Sequence, residues 1–279
     1  MGIMVKNIKR FILDSGRELT QILFLIICFI FPKIVNLAGI IKVLFGDANP
    51  TIENAKYYYL MISGNWIMGA LIALYVLLHV IRKSNKEKIF NRGNFYHDKS
   101  YAWYWFCSKI LGYERCNLIL VPIYTQYKLI LRDTFEEYPF EESMFPQKEC
   151  EIIVKGGKNK TKNFSEDINL IIQDTYPISN DQIPSSLKSN NTILVNREIL
   201  RFGERIYSKE LVDQVVEQIR RLDDGITLNI FSTTNPKNTF EIVKKAIYLA
   251  ERGNIKHVYV FQQNKDGKRN FDDKPHKVM

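Results

Sequence analysis

The sequence predicts an α/β protein: an N-terminal two-helix transmembrane hairpin followed by a cytosolic Rossmann-like three-layer domain. Three observations carry that prediction. Two apolar stretches, residues 21–45 (QILFLIICFIFPKIVNLAGIIKVLF) and 57–81 (YYYLMISGNWIMGALIALYVLLHVI), lie within the first 82 residues. Each is about 25 residues long, and a helix of about 20 crosses the ~30 Å hydrocarbon layer. About 180 more polar residues follow, enough for one hydrophobic core. Their apolar runs alternate between strand-like and helix-like spacing toward the C-terminus.

Residues 1–19 predict a basic amphipathic surface helix. Ile8, Phe11, Ile12 and Leu19 would face lipid while Lys6, Lys9 and Arg10 meet anionic headgroups. The Met-Gly start continues through Lys6 and Asn7 without the hydroxyl that myristoylation favours, so no lipid anchor is invoked.

Residues 20–82 form the predicted hairpin. Pro32-Lys33 interrupts the first span, Asn36 follows one turn later, and Lys42 lies toward the outer end. In the second span the spacing of Asn65 and His79 is close to four helical turns, which puts them on one face. Polar groups at membrane depth are costly and persist where they face another helix or water. Lys33, Asn36, Asn65 and His79 therefore either line a pore or are absorbed by snorkelling and a Pro32 kink. Gly69 and Ala73 let helices approach closely and favour assembly. One hairpin encloses no conduit, so a pore requires a homo-oligomer, at least a dimer.

The net charge of +9 would point to nucleic acid in a soluble protein. Here much of it flanks the membrane. Lys6, Lys9, Arg10 and Arg17 precede the first span, and Arg82, Lys83, Lys86, Lys88, Arg92 and Lys99 follow the second. The intervening loop carries Asp47 and Glu53 against Lys56. Cationic flanks stay cytoplasmic. The expectation is a multi-pass protein of the inner (plasma) membrane with both termini cytoplasmic and no nucleic acid polymer as partner. The first apolar stretch starts too late and runs too long for a cleaved signal peptide. Cys28, Cys107, Cys116 and Cys150 lack CxxC spacing and suggest neither a disulfide framework nor zinc.

Residues 83–100 predict a charged linker, and residues 101–279 the cytosolic α/β domain. Tyr101, Trp103, Tyr104, Trp105 and Phe106 open it as an interfacial belt, the start of a core, or a stacking platform for a base. Residues 116–124 (CNLILVPIY) predict a strand buried on both faces. Residues 127–132 predict a second strand or an extension, and 134–147 an acidic surface loop. A weak strand at 149–155 precedes a basic turn, GGKNKTK. Strands are predicted at 168–173, 192–196, 226–231 and 256–261, the last paired with a tail hairpin around Asp266-Gly267. Helices are predicted at 208–223, through Leu211, Val215, Ile219 and Leu222, and at 238–252, through Phe240, Val243, Ile247 and Ala250. This alternation implies parallel strands joined by crossover helices.

In open parallel sheets, ligands bind beyond the carboxyl ends of strands. Three such ends are polar: Asp174-Thr175, Asn196-Arg197-Glu198, and Ser232-Thr233-Thr234 running through Lys237 into a helix. Hydroxyls, a lysine and free N–H groups at a helix start suit a phosphate. The plainer alternative is that Asn235 or Asn238 caps the helix. There is no GxGxxG and no GxxxxGK[ST], which disfavours a dinucleotide cofactor or a P-loop NTPase. His79, His97, His257 and His276 are scattered, without HExxH or GxSxG. No cofactor, metal or catalytic residue is assigned, although Glu198 or Asp174 could act as an acid or base.

The layout resembles prokaryotic anti-phage membrane effectors of CBASS and type III CRISPR systems. The STTNPKNT turn is similar to the phosphate-contacting loop of CRISPR-associated Rossmann fold (CARF) sensors, with Pro236 and Asn238 in place of glycine. The resemblance implies that Ser232, Thr233, Thr234 and Lys237 contact phosphate while Asp174, Thr175, Asn196 and Arg197 line the remainder. It further implies a cyclic nucleotide second messenger binding across a sensor dimer and triggering membrane permeabilisation or depolarisation in antiviral defence. The rival reading is a membrane-tethered nucleotide-processing enzyme, a TIR-like NAD hydrolase or deoxyribosyltransferase-like domain that uses Glu198. A third is a scaffold in which the hairpin only anchors a protein-binding domain.

Overall fold

The structure, a computed structural model, describes residues 11–45, 52, 55–156, 167–198, 201–248, 255–264 and 267–279. Expectations resting on Lys6, Ile8, Lys9 and Arg10, on Asp47 and Glu53, on the turn after Gly156, on Ala250 and on Asp266 lie outside the described residues. The chain divides into two compact units, Met1–Arg92 with Trp105–Arg115, and Gly93–Tyr104 with Cys116–Met279.

The first unit holds the apolar helices α1 (Gly16–Ile34), α2 (Leu37–Phe45) and α3 (Ala55–Val76). A π-helical turn, Leu77–Ile81, carries α3 into α4 (Arg82–Lys86), and the next helix along the chain is α5 (Tyr101–Lys109). Ile62–Lys86 is one run long and apolar enough to cross a membrane. Helices α1 and α2 make a second span if the pair, bent by 48°, is taken as one. The first apolar stretch is thus broken rather than straight. The Pro32 ring removes an N–H and crowds the preceding turn of α1. The helix ends soon after, where Asn36 takes a φ of 51°, a left-handed conformation that asparagine tolerates.

Helix α3 packs along α1. The approach is closest at Gly69, where an added Cβ would lie 2.0 Å from the Phe29 carbonyl oxygen. Gly69, which the sequence suggested for assembly between chains, therefore serves a contact within the chain. At the other end of these helices Gln21 and Asn85 exchange amide hydrogen bonds of 2.8 and 3.0 Å. Asn85 also donates to the Leu111 carbonyl at 2.8 Å.

The second unit is a mixed α/β fold around a six-stranded sheet. Its strands are β1 (Ile152–Gly156), β2 (Asp167–Gln173), β3 (Asn191–Arg197), β4 (Ile226–Ser232), β5 (Ile255–Phe261) and β6 (His276–Lys277). The spatial order is β1-β3-β2-β4-β5-β6. The central four strands are parallel, and β1 and β6 are antiparallel edges. The second strand of the expected tail hairpin is thus β6, lying against β5.

Connections through α7 (Lys209–Arg220) and α8 (Pro236–Ile242) step from β3 to β4 and from β4 to β5. The step from β2 to β3 runs the opposite way. Right-handed crossovers then place that connection on the opposite face of the sheet. Helix α6 (Ile123–Leu131) and α7 each pack against α8, which stands between them in one layer. The other face is covered by two 3-10 turns, Asn180–Gln182 and Ser185–Leu187, and by the C-terminal tail. Ile178, Ile183 and Phe271 close there over Ile171, Phe231 and Phe261. The expected helical third layer is accordingly replaced, among the described residues, by short turns and tail.

Residues 116–132 also depart from expectation. The predicted strands at 116–124 and 127–132 give way to a turn and to α6. Asn117 Oδ1 accepts the Ile119 N–H at 2.9 Å, Leu120 has a φ of 59°, and Pro122 stands at the start of the helix. A short apolar run does not by itself separate a buried strand from a buried helix.

Candidate functional site

Strands β2 and β4 are neighbours whose onward connections leave in opposite directions. That is the switch point at which open α/β sheets form a crevice beyond their carboxyl ends. Asp174 follows β2 there, and the Ser232–Asn235 segment ends β4.

The crevice is filled by an internal polar network. Asp174 and Arg197 are sealed from solvent, at 0% and 1% exposure. Arg197 Nε donates to Asp174 Oδ1 at 2.7 Å, and its Nη2 donates to the Asp174 carbonyl at 2.6 Å and the Glu204 carbonyl at 3.4 Å. Asp174 Oδ2 accepts from the Asn235 N–H, from Asn235 Nδ2 and from Asn238 Nδ2, each at 2.9 Å. Burial pushes the Asp174 carboxyl up, against the pull of the Asn235 N–H and the Arg197 guanidinium. Both amide groups also donate to the Ile206 carbonyl, at 2.7 and 3.0 Å.

Asn235 caps α8, its Oδ1 accepting from the Lys237 and Asn238 N–H groups at 3.0 and 3.1 Å. The anion nearest this helix start is therefore the protein's own Asp174, which the helix dipole favours. Ser232 and Thr234 share a hydroxyl hydrogen bond of 2.7 Å, as do Thr234 and Thr239. Thr233 Oγ1 donates to the Tyr176 carbonyl at 2.7 Å and accepts the Asp174 N–H at 3.2 Å. Thr175 Oγ1 donates to the Thr233 carbonyl at 2.6 Å.

Of the predicted ligand residues, Asp174, Thr175, Arg197, Ser232, Thr233 and Thr234 thus meet in one place. Lys237 turns to a different one. Its Nζ pairs with Glu241 Oε1 at 3.1 Å and stands 5.0 Å from the Phe140 ring centroid and 5.5 Å from that of Tyr207. Asn196 pairs in register with Ile153 and Gln173, and strand alternation places it on the opposite sheet face from Arg197. Glu198 is exposed outside the network, its N–H bound to the Glu151 carbonyl at 3.0 Å. The partners that sequence reasoning missed are the two asparagine amides on Asp174 and the aromatic cage of Lys237. A capping asparagine carries no local signal of where its remaining amide group points.

Among the membrane residues, Asn36 and Asn65 come together at the break between α1 and α2. Asn65 Oδ1 accepts the Ala38 N–H at 2.8 Å and its Nδ2 donates to Asn36 Oδ1 at 3.0 Å. They satisfy backbone that the broken helix leaves open, which lipid cannot do. Lys33 is exposed, and His79 lies in the π turn, stacked on Tyr75 at 4.5 Å. No cluster of three or more His, Cys, Asp or Glu residues suited to a metal occurs among the described residues.

Apolar helical runs long enough to cross a membrane, joined to an α/β unit, define a membrane-associated protein. The family of SMODS- and ubiquitin-system-associated 2TM effector domains (SUa-2TM) matches residues 4–279, and the chain belongs to it. It is a membrane effector of a defence or signalling system. No curated protein matches the chain.

Proposed function

We propose that the α/β unit is the cytosolic sensor of this effector, in antiviral defence. A cyclic oligonucleotide binds at the switch point, across a homo-oligomer of at least two chains. The bound state favours an arrangement of the spans that permeabilises or depolarises the inner membrane. The cationic flanks of the apolar runs support cytoplasmic termini.

The observation that carries this reading is the Asp174 carboxylate itself. It holds one guanidinium and three amide donors at the position where such sheets take ligands. A ligand phosphate that displaced Asp174 would meet the same donors, so the network acts as the latch of an unliganded sensor. Lys237 and the hydroxyls of Ser232, Thr233 and Thr234 complete the anion contacts after that exchange. Moving such a switch from 1% to 99% active requires about 5.5 kcal/mol of differential affinity. A multiply charged ligand held by two subunits can supply that.

The test is thermal unfolding of the full chain in lipid nanodiscs with a panel of cyclic di-, tri- and tetranucleotides. A ligand at 100 times its Kd adds about 2.7 kcal/mol of stability. One selective shift, paired with dye release from vesicles carrying the protein, is the expected result. The absence of a shift from every member overturns the assignment, and NAD loss in the same samples would transfer it to an enzyme using Glu198.

A further inference from the structure

Strand β1 is an edge of the six-stranded sheet, and among the described residues no strand lies beyond it. On its inner side the Glu198 N–H donates to the Glu151 carbonyl at 3.0 Å, and Ile153 and Lys155 stand in register with Asn196 and Leu194. Backbone groups in an antiparallel ladder point alternately toward and away from the neighbour. Glu151, Ile153 and Lys155 therefore direct theirs at β3, while Ile152 and Val154 direct theirs outward. Folds blunt such edges with prolines, bulges or a covering element. Residues 149–156 contain no proline, and the edge ends at Gly156, where φ turns to 87°.

The side chains say what fits this edge. Ile152 and Val154 are half-buried, and β1 packs there on α7. Ile153 lies on the other face at 41% exposure, flanked by exposed Glu151 and Lys155. Glu151 also stands directly across from exposed Glu198. Neither carboxylate makes an ion pair among the described residues, and like charges placed opposite each other destabilise a sheet.

We infer that β1 is the contact between two copies of this chain, laid antiparallel about a two-fold axis at Ile153. The partner is a second copy because this strand complements its own antiparallel image. Ile152 then exchanges backbone hydrogen bonds with the partner's Val154, and Ile153 meets the partner's Ile153. Glu151 falls opposite the partner's Lys155, and symmetry makes that pair twice. It is a non-hydrogen-bonded pair, the kind in which side chains come closest. Each lysine also offsets the repulsion between Glu151 and Glu198. Alternation of the outward groups allows other registers only in steps of two residues, and a step either way sets Ile153 against a charge. A short strand pair is weak alone, but spans held in one membrane raise the effective concentration of the two chains. The inference supplies the surface of the homo-oligomer proposed above, and rests on that reading only for its link to sensing.

The experiment is oxidative cross-linking of the full chain in lipid vesicles at low protein-to-lipid ratio. Cys28→Ser and Cys150→Ser form the background, since Cys107 and Cys116 are buried. Ile153→Cys should give a disulfide-linked dimer, because directly opposed Cβ atoms lie about 4.5–5.5 Å apart. Ile152→Cys meets its own image only diagonally, ~7–8 Å away, and should cross-link at least about fivefold less. Added to Ile153→Cys, Glu151→Lys or Lys155→Glu should each lower the dimer about threefold, and the two together should restore it. Both positions are exposed, so these variants keep the fold and the melting midpoint. No dimer from Ile153→Cys, equal cross-linking from Ile152→Cys, or a double charge exchange that does not restore the dimer would each overturn the inference. The cyclic-nucleotide shift, read on the same samples, keeps the two readings apart. A dimer without a shift upholds this interface and removes only its sensing role, and a shift without the dimer overturns the interface alone.

Discussion

Arg197 Nε donates to Asp174 Oδ1 across 2.7 Å, and the pair is walled from water on every side. Taking one partner from a buried ion pair costs about 3–5 kcal/mol, because the remaining charge is stranded. Arg197→Met should therefore strongly destabilise the α/β unit, while the double change Asp174→Leu with Arg197→Met should recover only part of the loss, since leucine removes the stranded charge but leaves the Asn235 N–H without its acceptor. The pH dependence has a fixed sign. Burial raises the folded-state pKa of Asp174 above its unfolded value, and loss of the guanidinium raises it further. The stabilisation from holding that proton is present below the unfolded value of ~3.9 and is lost as pH rises through the folded value. The deficit of Arg197→Met, followed by chemical unfolding, should be greatest near pH 8 and shrink toward about pH 5.

Lys237 separates sensing from folding, which Arg197 does not. Its ammonium is partly exposed, and its contacts are Glu241 and an aromatic cage. Such contacts are worth about 0.5–1 kcal/mol each at exposed sites. Lys237→Ala should lower the melting midpoint only slightly. Under the proposed function it should weaken the ligand-induced shift about tenfold in affinity, since one charged phosphate contact is worth about 1.5–3 kcal/mol. An unchanged ligand response in Lys237→Ala removes this residue from the site.

The parallel core was legible in the sequence because each central strand is an apolar run ended by turn residues, as at 168–173 and 226–231. Helix α7 was legible because Leu211, Val215 and Ile219 keep helical spacing, and all three are buried. The run 116–132 was not, since its continuous apolarity fits either element and the deciding features are the Asn117 turn and Pro122. The gathering of Asp174 with Ser232–Thr234 followed from the rule of strand ends. Its closure did not, because Asn235 reaches Asp174 across 61 positions of sequence and no local pattern encodes that amide. For the same reason Lys237 was legible as a cation near a strand end, but not as one folded onto Phe140.

Asn36 and Asn65 are predicted to act as a unit at the break in the first apolar run. Asn65→Leu removes both the acceptor for the Ala38 N–H and the donor to Asn36 Oδ1. Side-chain hydrogen bonds between membrane helices contribute about 0.6 kcal/mol on average and up to about 1.7. Unfolding in bicelles should show Asn65→Leu losing about 1–2 kcal/mol, with the excess over Asn36→Ala owed to the exposed backbone N–H. A double-mutant cycle should give a coupling of at least about 0.5 kcal/mol, the size expected for groups in direct contact. Additive losses would instead fit two polar groups acting independently, as a pore lining would.

Gly69 distinguishes packing within one chain from assembly between chains. A Cβ at this position would lie 2.0 Å from the Phe29 carbonyl oxygen and 3.0 Å from its carbon, both backbone atoms that cannot swing aside. Gly69→Ala must therefore push α3 away from α1 or tilt it, because packed helices do not absorb such an overlap by side-chain motion. Spin labels on Ile26 and Leu74, both on exposed positions of the two helices, report the separation directly. The expected outcome in Gly69→Ala is a longer and broader distance distribution within the chain, together with a lower melting midpoint in detergent. If Gly69 instead mediates contact between chains, the labelled distance stays fixed while the oligomer mass falls. Gly69→Ser, nearly as small and able to hydrogen-bond across helices, should shift the distance in the same direction as Ala. An exposed control, Leu71→Ala, should leave it unchanged, because Leu71 is half exposed and its truncation adds no atom between the helices.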